Sequence, residues 1–275
     1  MNPNDDTATA SSTAAPFDVR EFARTARGSH RAELDLTPLE AAPLDQDAAR
    51  LVRALRDLER GTLHRMRDLL VTATHKDARV TAFLTTWMFE KFWIADALDA
   101  VLEASAAADD LPSTEGSARR TRAERRERRG PIRRAIAANI TGPQIVAEHV
   151  TTGLVDEWIT QAAYRRLAEA ASALQSVADL VLDIKERHIH FLAEEAERRL
   201  GLSTKAQKIT RRALERAAWP IGSVDRSDEE RTFFERFVFG GEAGAVEAGR
   251  IRSLLSSLPG IGNGVAANVE ARLTP

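Results

Sequence analysis

The chain has no cysteine, one tyrosine and only 5% aromatic residues in 275. Without thiols there can be no disulfides, thiolate zinc sites or cysteine nucleophiles. No apolar stretch approaches the ~20 residues that a membrane-spanning helix needs, so no membrane partner is expected. An excess of one charge is also missing. Thirty-nine basic against 41 acidic residues leave a net charge of -2, which gives no bulk attraction to nucleic acid or an anionic bilayer. Apolar residues do not alternate with a period of two, so no sheet is expected. Residues 1–16 are polar and lack the basic start and apolar run of a secretory signal. They read as a disordered tail, and the chain reads as cytoplasmic and soluble.

What is present favours helix. Hydrophobic residues make up 43% of the chain, and Ala, Leu, Glu and Arg, which lose little freedom on a helical backbone, dominate. Residues 1–44 form the tail and an irregular lead-in punctuated by Pro38 and Pro43, the lead-in being expected to lie over the surface of the helices C-terminal to it. Four long helices are expected at about 45–74, 77–105, 143–171 and 174–200, within a unit spanning about 45–202. The short His75-Lys76 connection makes the first two antiparallel neighbours. Pro143 suits a helix start, and Gly201 suits a stop. A long connection, about 106–142, separates the two pairs. Its second part, 118–134, holds nine arginines and two glutamates. Residues 203–275 read as shorter helices at about 203–218, 227–239 and 242–257, with Ser227 and Glu230 spaced as a capping box.

Alternating steps of three and four pick out one face of each long helix. The first reads Ala48, Val52, Leu55, Glu59, Thr62, Met66, Leu69, Ala73. The second reads Val80, Leu84, Trp87, Lys91, Ile94, Leu98, Val101. The third reads Val146, Val150, Gly153, Glu157, Thr160, Tyr164, Leu167, Ala171. The fourth reads Val177, Val181, Ile184, His188, Phe191, Glu195, with Lys185 one turn before His188. Each face is apolar except near its middle, where a charged or imidazole group interrupts it. Such groups are costly in a core unless paired or metal-bound.

This pattern resembles the ferritin-like di-iron carboxylate proteins, rubrerythrins among them. Those proteins place one Glu on each of two helices and Glu-x-x-His on each of the other two. Glu59 and Glu157 fill the lone-Glu positions. Asp156-Glu157-Trp158 with the following Thr160 to Leu167, and Glu186-Arg187-His188 with Phe191, are similar to the third and fourth helices of that group. The resemblance covers about residues 45–200. It implies an all-α fold: a ferritin-like four-helix bundle with a long crossover between its second and third helices, plus a C-terminal helical extension. The metal motifs depart from the family. The second helix carries Lys91-Phe92-Trp93-Ile94 and the fourth carries Lys185-Glu186-Arg187-His188, so three of six ligand positions remain: Glu59, Glu157 and His188. A protonated lysine has no lone pair for iron. A shift of register would bring in Glu90 or Glu186, but pairs them with Trp93 and Ile189.

These residues lead to an expected buried ion-pair network of Glu59, Lys91, Glu157 and Lys185. Its implied function is a bundle that has lost the di-iron centre and serves as a non-catalytic binding or structural module. No cofactor is expected. Iron is the one that the resemblance leaves open, in a metal-dependent oxidoreductase using Glu59, Glu157, Glu186 and His188; a mononuclear site of Glu157, Glu186 and either His188 or His190 is a variant of it. Homo-oligomerisation is left open too. His30, His64 and His75 read as surface histidines. A third reading is nucleic-acid association. Arg119, Arg120, Arg122, Arg125 and Arg126 offer positive charge. Pro259-Gly260-Ile261-Gly262, following Leu254 and Leu258, resembles a helix-hairpin-helix turn, in which Gly260 and Gly262 open backbone N–H groups to a phosphate. The acidic balance of the whole chain makes a nucleic-acid partner unlikely on this reading and at most weak.

Overall fold

The computed structural model describes residues 15–105, 142–223 and 226–275, and the regular elements among those residues are all helices, with no strand. Most of the N-terminal tail and the connection carrying Arg119, Arg120, Arg122, Arg125 and Arg126 lie outside the described residues. In chain order the helices are α1 (Val19–Arg24), α2 (Thr37–Ala41), α3 (Gln46–Leu70), α4 (Ala78–Ala104), α5 (Ile145–Ala170), α6 (Gln175–Leu202), α7 (Thr204–Leu214), α8 (Asp228–Phe239), α9 (Gly241–Ser257) and α10 (Gly262–Ala271).

Local chemistry sets many of the boundaries. Asp18, Asp45, Asp77, Ser203 and Ser227 each sit in extended backbone just before a helix. Each accepts a hydrogen bond from a first-turn amide there, which satisfies a donor that the helix leaves free. Of the capping box at α8, the Ser227 half forms. The Glu230 carboxylate instead meets Arg50 on α3 at 2.8 Å. Pro143 lies in the short 3-10 turn that leads into α5. Gly201 does not stop α6, which runs one residue further before Ser203 caps the next helix.

The long helices pack as α3 along α4 and α5 along α6, each pair joined by a short connection. In addition α3 meets α5 and α4 meets α6, so the four enclose one interior. The faces read from the sequence point into it: Val52, Leu55, Val80, Ile94, Leu154, Leu167, Val181 and Phe191 are all buried. Each such side chain contributes roughly 1.5–3 kcal/mol relative to exposure. The shorter C-terminal helices extend this core. α7 packs on α5 and α6, α8 on α3 and α5, and α9 on α5, with Leu214, Phe234, Phe239 and Ile251 buried.

The lead-in crosses α4, on which α1 and α2 both pack. Phe22 stacks on Phe83 at 5.3 Å, and Phe83 stacks on Phe191 at 3.8 Å. One expectation fails in this segment, because His30 is buried and not at the surface. Arg27 bonds to Glu90 through its backbone N–H at 2.8 Å and Arg31 pairs with Asp96 at 3.0 Å, which pins the segment to α4 on either side of His30. Burial lowers the His30 pKa and favours the neutral ring.

Asp77 illustrates how capping and packing combine. Its carboxylate accepts from the Val80 N–H at 3.0 Å and from Arg199 of α6 at 2.6 Å. Asp77→Ala is expected to cost ~1–2 kcal/mol, read as a lower urea midpoint with an unchanged m-value.

Candidate functional site

Four side chains, one from each long helix, meet in the interior. Glu59 comes from α3, Lys91 from α4, Glu157 from α5 and Lys185 from α6, and all four are buried. The Lys91 ammonium lies 2.7 Å from Glu59 Oε2 and 2.8 Å from Glu157 Oε1. The Lys185 ammonium lies 3.0 Å from Glu59 Oε1 and 2.8 Å from Glu157 Oε2. Each carboxylate therefore bridges both lysines, and each of its oxygens has its own ammonium. Two positive and two negative charges close a neutral quartet.

Neighbouring donors complete it. The Trp87 indole N–H donates to Glu157 Oε1 at 2.7 Å, and the Tyr164 hydroxyl donates to Glu59 Oε1 at 3.3 Å. Lys185 also donates to Thr160 Oγ1 at 2.9 Å. Burial alone would raise both glutamate pKa values. The Lys185 and Lys91 charges outweigh it and hold Glu59 below, and Glu157 well below, the usual carboxylate range. Burial works against charge on Lys91 as well, yet Glu157 and Glu59 raise its pKa. Burial and the Glu59 charge push the Tyr164 hydroxyl well above its ordinary value, so it stays a donor.

A second layer was not expected from the sequence. Glu90 is buried one residue before Lys91 and accepts from His188 Nε2 at 2.8 Å, from the Arg27 backbone N–H at 2.8 Å and from Arg187. Burial lowers the His188 pKa despite the Glu90 hydrogen bond, so the neutral ring donates through Nε2. Its Nδ1 has no hydrogen-bond partner and lies 3.9 Å from Glu157 Oε1. The signal for Glu90 was present: Phe83, Trp87, Glu90 and Ile94 form a second three-four stripe beside the one that carries Lys91. Beyond the quartet, Thr74 Oγ1 bonds His149 Nδ1 at 2.7 Å, and Arg65 pairs with Asp156 at 3.2 Å. Burial raises the Glu148 pKa to about 7 and lowers that of His149 to about 3.

The proposed iron ligands separate in space. Glu186 is exposed and does not join Glu59, Glu157 and His188. It follows Lys185 by one residue, about 100° around the helix, so the turn that points the lysine inward points Glu186 outward. His190 is exposed as well, its ring edge-on to Phe17. His188 directs one nitrogen to Glu90, and the oxygens of Glu59 and Glu157 face ammonium groups. Among the described residues, no three His, Asp or Glu side chains are grouped to hold a metal ion. The donor set does not fit a di-iron centre, since two of its corners are cations.

Gly260 and Gly262, the two turn glycines, have φ of +73° and +75°. A Cβ on Gly260 would fall 2.1 Å from the Gln207 side chain of α7, whereas one on Gly262 would meet nothing. The turn therefore packs against α7.

Removing one partner from the quartet strands a buried charge. Lys185→Met is expected to cost ~3–5 kcal/mol in urea unfolding, and Glu59→Gln combined with it recovers part of that loss. The signs of the shifts also fix the pH dependence. Glu59 and Glu157 have lowered folded pKa values, so their contribution is present above the unfolded value of about 4.3 and lost as pH falls. Lys91 has a raised one, so its contribution is present below about 10.4 and lost as pH rises further. Stability against pH should be less steep below about pH 4 in the double variant than in the wild type.

No family model, curated protein or solved structure matches the chain.

Proposed function

We propose that the chain is a ferritin-like four-helix bundle in which a lysine–glutamate quartet stands where relatives of that fold hold two irons, and that it acts as a non-catalytic binding or structural module. One observation carries this reading: all four carboxylate oxygens of Glu59 and Glu157 lie within 3.0 Å of an ammonium. A di-iron site is a cluster of cations held by surplus carboxylates. Here the cations are covalent parts of the chain, with no lone pair to offer a metal. A lone Glu on α3 and another on α5, with Lys91 and Lys185 at the places of the two Glu-x-x-His glutamates, support descent of the quartet from such a site.

In a role of this kind the interior supplies rigidity and the surface supplies recognition. Nothing in the quartet is poised for turnover. Its carboxylates are paired anions, its tyrosine is a held donor, and His188 is neutral and fixed to Glu90.

Metal analysis of untagged protein tests the reading. The wild type should hold well under one iron or manganese per chain and show no oxygen-dependent absorbance change with ferrous iron. Lys91→Glu combined with Lys185→Glu should gain divalent-metal binding, since it sets four carboxylates beside His188. Two metals bound stoichiometrically by the wild type would instead favour a metal-dependent oxidoreductase. A double variant that folds but binds no metal would remove the argument for a former metal site.

A further inference from the structure

The surface of this protein pairs many of its charges. Arg31 meets Asp96 and Glu103, Arg50 meets Glu229 and Glu230, and Arg165 meets Glu247. Helix α7 breaks that pattern. Thr204–Leu214 contains Lys205, Lys208, Arg211 and Arg212 and no acidic residue. All four are exposed, and none forms an ion pair with a described residue. Ala206, Thr210 and Leu214 anchor the opposite face, so the helix is held with its cations turned outward. In a chain with more acidic than basic residues, a helix face of charge +4 with no ion-pair partner among the described residues is a local feature that the net charge hides.

We propose that the exposed face of α7 is a contact surface for the phosphate backbone of duplex nucleic acid. The row from Lys205 to Arg212 is about 10 Å long. Duplex DNA carries one negative charge per about 1.7 Å of its axis, so a row of that length faces several phosphates at once. A protein surface rarely offers anionic charge at such density. The α10 hairpin stiffens this helix. The Gly260 turn seats on Gln207, one helical turn before Arg211, and Arg272 donates to the carbonyls of Leu214, Glu215 and Ala217 at the end of α7. Both ends of α10 thus hold α7, with the exposed residues Gly262, Asn263 and Gly264 beside it. Glu215, just past the helix, bounds the cationic face. No aromatic side chain lies on α7 to stack on bases, so contact is with the backbone and independent of sequence.

Fluorescence anisotropy of the full chain with labelled duplexes of two unrelated sequences tests this across a salt series. Equal binding to both is expected at low salt, with log K falling against log salt at a slope of about -3 to -4. Replacing Lys205, Lys208, Arg211 and Arg212 together by Gln should weaken binding about tenfold or more with an unchanged circular dichroism spectrum. Replacing Arg119, Arg120, Arg122, Arg125 and Arg126 by Gln should leave the α7-dependent part intact. The proposal is overturned by no binding at low salt, by a quadruple α7 variant that binds like the wild type, or by a linker variant that abolishes all binding. Capture by anionic vesicles without duplex binding would overturn it in favour of a membrane surface.

Discussion

Charge neutrality inside the core is the constraint on which this structure depends. Two carboxylates in a low-dielectric interior repel one another and lose hydration, and so do two ammonium groups. Placed alternately, the four groups satisfy one another: every Glu59 and Glu157 oxygen finds an ammonium, and Lys91 and Lys185 each bridge two helices. Each long helix contributes one group at mid-height, so the quartet also fixes register. Sliding one helix by a turn, about 5.4 Å, would strand its charge against apolar neighbours. Apolar stripes tolerate near-equivalent packings far better, so the quartet favours a unique alignment as well as satisfying its own charges.

Charge is arranged in layers outward from that centre. Next to the quartet lie a neutral histidine, an indole and a phenol, all hydrogen-bonded donors. Beyond them Glu90 collects His188, Arg187 and the Arg27 backbone, and there the interior network reaches the lead-in segment. The aromatic contacts of Phe17 and Phe22 with Phe83 and Phe191 fasten the same segment to α4 and α6. The N-terminal strap is thus joined to the core by both polar and apolar contacts.

Charge pairing also differs between interior and surface. The quartet carboxylates are each paired with both ammonium groups, in keeping with the proposal of a non-catalytic ferritin-like bundle. The outward cations of α7 have no ion-pair partner among the described residues, where many other surface arginines are paired. Ion pairing, more than net charge, separates the two proposed roles, structural for the quartet and recognition for α7.

Much was legible in the residues themselves. Helical composition, missing period-two alternation and four apolar stripes determined an all-helical chain. The mid-stripe positions of Glu59, Lys91, Glu157 and His188 marked which polar groups had to face inward, because a three-four repeat maps sequence onto one side of a helix. Other features depended on the tertiary structure. Two overlapping stripes of α4 turn the adjacent Glu90 and Lys91 inward, but the partners of Glu90, which are His188, Arg187 and the Arg27 N–H, come from distant segments. His30 is buried where the lead-in crosses α4, and Glu186 is exposed because no described element covers its side of α6. The contact between the Gly260 turn and Gln207 joins residues more than fifty positions apart. Periodicity reports one helix's own geometry. What covers its remaining faces is decided by distant segments, so only the assembled fold shows which polar groups lose their water.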